Sequence, residues 1–174
     1  MQKVILVILT CVSTISYGQT AKQSPNEIAI LKEINMVRTD PKGYIKYIDA
    51  FTRRMGVDSI TRIAAGLKAK LRIMKPLPPL QFSETIYTTV KAKALWLKKR
   101  RVQQHPPGNK YAKNLIFSEK DVRTVNLLLL IDYGVPGRGH RNNILNPKFG
   151  TFACKELTRT QSNWLHIYIM DFYY

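Results

Sequence analysis

The chain of 174 residues has two cysteines, three histidines and eleven acidic residues. Each scarcity excludes something. Cys11 lies in the N-terminal apolar run, so Cys154 is left alone if that run is removed, and no disulfide framework holds the fold. No G-x-S-x-G elbow is present, which argues against a serine hydrolase of that type. No phosphate-cradling P-loop and no dinucleotide-binding glycine pattern occurs. A zinc site usually needs three or four His, Cys, Asp or Glu ligands, and here these residues are few and irregularly spaced. No stretch reaches the roughly 20 apolar residues that span a bilayer.

The N-terminus reads as a secretory signal peptide over residues 1–18. Met1-Gln2-Lys3 is a basic start and Val4 to Val12 is mostly apolar. Ser16 and Gly18 are small residues placed for cleavage before Gln19. A lipoprotein reading at Cys11 is the alternative. The chain is therefore expected to be exported, to the periplasm or the extracellular space. Cleavage would remove Lys3 and lower the net charge of +17 by one.

That charge favours anionic partners, lipid headgroups or acidic polysaccharide. Its only dense cluster is Lys98, Lys99, Arg100 and Arg101 in LKKRR. The competing reading is a solvated helix face that keeps the protein soluble. No nucleic-acid recognition motif accompanies the charge, so nucleic acid is not an expected partner.

Residues 26–174 read as one domain. Ser24-Pro25-Asn26-Glu27 is a capping box opening a helix, with Ile28, Leu31, Ile34 and Val37 on one face. Asp40-Pro41 starts a second helix, with Tyr44, Ile48 and Phe51 inward, ending by Gly56. Asp58 starts a third, carrying Ile60, Ile63, Leu67, Leu71 and Met74. KPLPPL (75–80) is an extended connector, because its prolines forbid a helix. Ser83 caps a helix with Ile86, Val90, Ala94 and Leu97 on one side. Ser118 with Asp121 forms a second capping box, opening a helix that runs to Ile131. A short strand is expected at Leu115–Phe117. FGTFACKEL and NWLHIYIMDFYY then read as an antiparallel pair around the turn TRTQSN. Helices first and strands last is an α+β pattern.

Between the last helix and these strands lies DYGVPGRGHRNNILNP (132–147), dense in glycine, proline and charge. His105 and His140 both sit in loops rich in glycine or proline, where functional side chains tend to be displayed. GVPGRG could cradle an anion with its backbone N–H groups. His166 falls in a strand pattern and reads as a packed or half-exposed residue. Cys154 reads as a buried structural thiol.

Several segments together resemble the CAP superfamily. They are EINMVRTDPKGYIKYI, PLPPLQFSETIYTTVKAKA, a loop histidine followed by KNLIF, LLLLIDYGVPGRGHRNNILNPKFGTFAC and NWLHIYIMDF, in that order. The superfamily includes cysteine-rich secretory proteins, wasp antigens and plant pathogenesis-related proteins. The resemblance is to its exported bacterial branch, the SCP-like domain proteins. It implies an α-β-α sandwich with a three-stranded antiparallel sheet between helical layers. It also implies a cleft lined by two histidines and two acids that binds zinc in some members. Carried over by motif, the histidines are His105 and His140. Asp132 stands for the acid late in the long helix, and Lys113, in AKNL, replaces the other acid. Arg138 completes the candidate cleft.

A lysine ammonium within a few ångströms of a zinc position costs several kcal/mol, so tight zinc binding is not expected, and Lys113 could pair with Asp132 instead. The implied function is a monomeric, non-catalytic module binding a small ligand, a protein or an envelope surface. The alternatives are a metal-assisted hydrolase using His105 and His140, and a basic protein held on anionic envelope surfaces.

Overall fold

A computed structural model describes residues 23–100, 110–118, 121–158 and 166–174. The segment 1–18, Arg101, His105 and most of the TRTQSN turn lie outside the described residues.

Helix α1 spans Pro25–Thr39 and starts on the expected capping box, with Ser24 and Glu27 bonding each other's backbone N–H. Asp40 then serves two helices. Its N–H closes α1 on the Met36 carbonyl, and its carboxylate accepts from the Gly43 N–H at 2.9 Å to cap α2, Pro41–Met55. A Cβ at Gly43 would lie 1.9 Å from that carboxylate, so only glycine fits beside this cap. Gly56, at φ +62°, ends α2 in the left-handed conformation that favours glycine. Helix α3 follows at Asp58–Ile73.

The proline run leads in extended form to a two-residue strand β1, Gln81–Phe82. Helix α4 is Glu84–Arg100, β2 is Ala112–Ser118 and α5 is Val122–Ile131. A single 3₁₀ turn, Pro136–Arg138, runs into α6, Gly139–Ile144. Strands β3, Thr151–Thr158, and β4, His166–Tyr173, end the chain. The sheet order is β1-β3-β4-β2. The three long strands pair antiparallel, with β4 central. Among the described residues the sheet nevertheless has four strands, not the three expected, because β1 joins β3 in parallel. The prolines deliver extended backbone to that edge, where Gln81 donates to the Gly150 carbonyl and Ser83 to that of Phe152.

Helices cover both faces. Ile86, Tyr87, Val90, Ala94 and Leu97 of α4 pack on Leu115, Ala153, Ile167 and Ile169. The opposite face presents Phe152, Cys154, Tyr168, Met170 and Phe172 to α1, α2, α3 and α5. Successive strand residues point to opposite faces, so parity alone assigns each side chain to a layer.

Two local expectations are corrected. Ile28 is 41% exposed, and Ile30 takes the inward place beside Ile34 and Val37. The phase shifts because Glu27, Glu33 and Arg38 are buried on the same helix. Ser118 is the last residue of β2 and does not cap α5. Asp121 does so, accepting from the Thr124 N–H at 3.1 Å.

Candidate functional site

The DYGVPGRGH segment closes α5 and reverses the chain. Asp132, at φ +56°, is the C-cap of α5, and its N–H bonds the Leu128 carbonyl. Left-handed backbone costs an L-residue roughly 1–2 kcal/mol, and aspartate is among the types that tolerate it. Arg138 is also left-handed, as are Gly134 and Gly137. Side-chain donors to the carbonyls of Asp132, Val135 and Gly137 hold this turn.

Asp132 is 2% exposed. Its Oδ1 lies 2.8 Å from Nδ1 of His140, and its Oδ2 accepts from the backbone N–H of His140 at 3.0 Å and of Arg141 at 3.3 Å. Three of a carboxylate's roughly four acceptor positions are thus engaged by the start of α6. A carboxylate at a helix N-terminus also gains from the exposed N–H groups there. In the neutral His140 ring, this contact places the proton on Nδ1 and makes Nε2 an acceptor.

Arginines complete the turn. Arg138 donates to the carbonyls of Asp132 and Val135. Arg141 donates to the Leu130 and Ile131 carbonyls, which the end of α5 leaves without helical partners. Burial, and next the nearby Arg138 cation, hold the Arg141 guanidinium below its ordinary pKa. Asn143 ties α6 to β2 through the Asn114 side chain at 2.8 Å and the Lys113 carbonyl at 3.1 Å. Asn114 returns a bond to the His140 carbonyl at 3.2 Å.

Beside this turn is a cavity of about 290 Å³. Phe51, Ile60, Ile116 and Leu128 give it apolar walls, and Asp132 and His140 supply polar atoms. The volume is at the small end of ligand sites.

Of the candidate cleft residues, Asp132, Arg138 and His140 come together here. Lys113 does not, and the expected Lys113–Asp132 pair is corrected. Asn114 faces α6, so by strand parity Lys113 belongs to the opposite, α4 side. There it is the cross-strand neighbour of Asp171, and its charge acts on that carboxylate. His105 lies outside the described residues. Lys98, Lys99 and Arg100 are exposed at the end of α4, on the far side of the sheet. His166 packs in β4 with Nδ1 2.7 Å from Glu156 Oε1. Cys154 is buried, and burial, followed by the charges of Glu27 and Glu156, pushes its thiol pKa well up, so it is no ready nucleophile.

Sequence reasoning missed Arg38, which supports the site from below. It is fully buried and donates to the carbonyls of Pro78 at 3.1 Å and of Ile144, Asn146 and Phe149 at 2.9 Å each. Three of those carbonyls belong to the segment that carries α6 back to β3. Burial lowers the Arg38 pKa from its ordinary value. The available signal was its place four residues after Ile34, on the inward stripe.

Among the described residues, no three His, Cys, Asp or Glu side chains converge as a metal-ligand group. Among the same residues, no helix is long and apolar enough to cross a membrane. No protein-family model matches the chain, and no curated protein matches it.

Proposed function

We propose that the chain is an exported, monomeric CAP-type domain whose function is to bind a small, largely apolar ligand beside His140. The observation that carries this reading is the use of Asp132. Its carboxylate is spent on orienting His140 and on capping α6, while the adjacent walls are apolar. Such a constellation suits a ligand with an apolar body and one polar group that meets the imidazole.

The same observation argues against tight zinc binding. The original reason, an ammonium near the metal, falls away with Lys113 on the other face. The engagement of both Asp132 oxygens replaces it, since a carboxylate turned toward a metal would weaken its bonds to the N–H donors of α6. Zinc that survives dialysis in stoichiometric amount, and is lost in His140→Ala, contradicts this part.

The binding test uses ligand-observed NMR with indole, phenol and short-chain alcohols. Saturation transfer should appear for the aromatic probes. It should vanish in Ile116→Trp, which fills the cavity, and weaken in His140→Ala. No transfer from any probe, or equal transfer to Ile116→Trp, overturns the reading.

One observation favours a second reading. A carboxylate holding Nδ1 of a histidine is the arrangement of a general base. On that reading the protein is a hydrolase that uses His140 to activate water. Ester or peptide hydrolysis lost in a folded His140→Ala variant supports it, and equal activity in that variant removes it.

A further inference from the structure

We propose that the outer side of α4 is a docking surface for anionic lipid membranes. The helix alone covers its face of the sheet among the described residues, and its inner side is fully used by Ile86, Tyr87, Val90, Ala94 and Leu97. At about 100° per residue, Thr85, Thr88, Ala92, Leu95 and Lys99 form the ridge facing away from the sheet, and Trp96 lies at its edge, half-buried against the α4 side of the core. That ridge is weakly polar or apolar over most of its length. Leu95 is 52% exposed, with no side chain covering half of its surface.

Cations flank this ridge on both sides. Lys91 and Lys98 lie along one side, and Lys93 and Arg100 along the other. From Thr85 to Arg100 there are five basic residues and no acid. Lys93 is drawn inward to Asp171. Lys91 lies 5.0 Å from the centre of the Tyr87 ring, and Arg100 lies 5.4 Å from that of Trp96. These contacts lay the long side chains against the helix while their charges stay at the surface. Ala92 and Leu95, bordered by Lys91, Lys98 and Arg100 and followed by Lys99, give this side of the helix an apolar centre within a cationic border, the make-up of a helix side that rests on the membrane interface. The ridge enters the headgroup boundary and the cations meet lipid phosphates. Acidic polysaccharide and nucleic acid would use the cations but gain nothing from Leu95, so the exposed leucine selects the lipid surface.

The test is flotation of the full chain with vesicles of phosphatidylglycerol and phosphatidylcholine, and with phosphatidylcholine alone. The expected result is binding to the anionic vesicles only, falling steeply as salt rises. The triple variant Lys98→Gln/Lys99→Gln/Arg100→Gln should bind roughly 100-fold more weakly, from the usual contribution of a cation at an anionic surface. A control triple at the end of α3 and in the connector after it, Lys70→Gln/Arg72→Gln/Lys75→Gln, removes the same charge from another exposed stretch and should stay within about threefold of wild type. Leu95→Asn should weaken binding severalfold with the salt dependence unchanged. In a Trp164→Phe background, Trp96 fluorescence should shift to the blue on vesicles.

Circular dichroism melts confirm that each variant is folded. Equal loss in the control triple, an unshifted Trp96 spectrum, or retention on heparin or single-stranded DNA without vesicle binding overturns the proposal.

Discussion

Two buried charges on opposite faces of the sheet, Arg38 and Asp171, are neutralised in different ways. On the face covered by α1, α2, α3 and α5, Arg38 is satisfied by four backbone carbonyls. On that side Asp132 accepts from two backbone N–H groups and one histidine ring. On the α4 face, the fully buried Asp171 is met by the Lys93 ammonium and the Thr89 hydroxyl, and its Oδ1 has no hydrogen-bond partner. Glu27 combines the two modes: it pairs with Lys155 at 2.7 Å and the Tyr87 hydroxyl at 2.8 Å, and it accepts from the Ser24 and Glu156 N–H groups at 3.0 Å each. Backbone partners fix the path of loops, because the bonds form only when the chain turns in one way. Charged partners fix a helix to the sheet and make that join sensitive to the loss of either member.

The largest effect expected from this contrast is at Arg38. Replacing it by methionine leaves four carbonyls without their donor and should cost about 4 kcal/mol, read from the urea midpoint. Arg38→Lys should recover little, since an ammonium cannot span the four carbonyls. Next is the ion pair. Lys93→Met leaves Asp171 buried without its cation and should cost about 3 kcal/mol. The double variant Lys93→Met/Asp171→Leu should recover most of that loss. If the double variant is as unstable as the single one, the pair does more than neutralise itself.

Asp132→Asn should cost less, about 1–2 kcal/mol, because the amide keeps one acceptor oxygen for the α6 N–H groups. Smaller still is the pH dependence. Burial raises the Asp171 pKa, opposed by Lys93 and Thr89. The folded state therefore holds this proton more tightly than the unfolded state does. Stability contributed by protonation grows as pH falls from above the raised value to the ordinary 3.8, and levels off below it. Glu156 runs the other way. Burial is the largest influence and raises its pKa, but bonds from Asn26, Ser24 and His166 outweigh it and leave the value lowered. Its contribution is present above 4.5 and is lost as pH falls through the lowered value. Urea curves from neutral pH down to about pH 3 should show Asp171→Asn losing the first trend and Glu156→Gln the second.

How far the sequence could be read follows from the same contrast. The inward stripe of α4 was legible at Ile86, Val90, Ala94 and Leu97, where apolar or small residues fall at helical spacing, while buried Tyr87 was not picked out. The stripe of α1 was legible at Ile34 and Val37 but not at its start, because Glu27, Glu33 and Arg38 occupy inward positions that a hydrophobic pattern assigns to solvent. The parity of β2 was hidden for another reason. Helices cover both faces there, so Leu115 and Ile116 are both apolar and the alternation that separates inside from outside is lost. The family resemblance put Lys113 beside Asp132 in the expected cleft, and the pattern of β2 offered no alternation to oppose it. The grouping of Asp132, Arg138 and His140 was legible because it lies within one short turn. Arg38 was invisible as a support because its partners are distant carbonyls, which carry no side-chain signature.

The central claim is that Asp132 holds His140 as a binding side chain rather than as half of a metal site. Long-range proton–nitrogen NMR of the imidazole tests it most directly, at a pH where the ring is neutral. The account predicts a proton on Nδ1, an unprotonated Nε2, and nitrogen shifts unchanged by equimolar zinc. A proton on Nε2, or a zinc-induced shift of either His140 nitrogen, would contradict it.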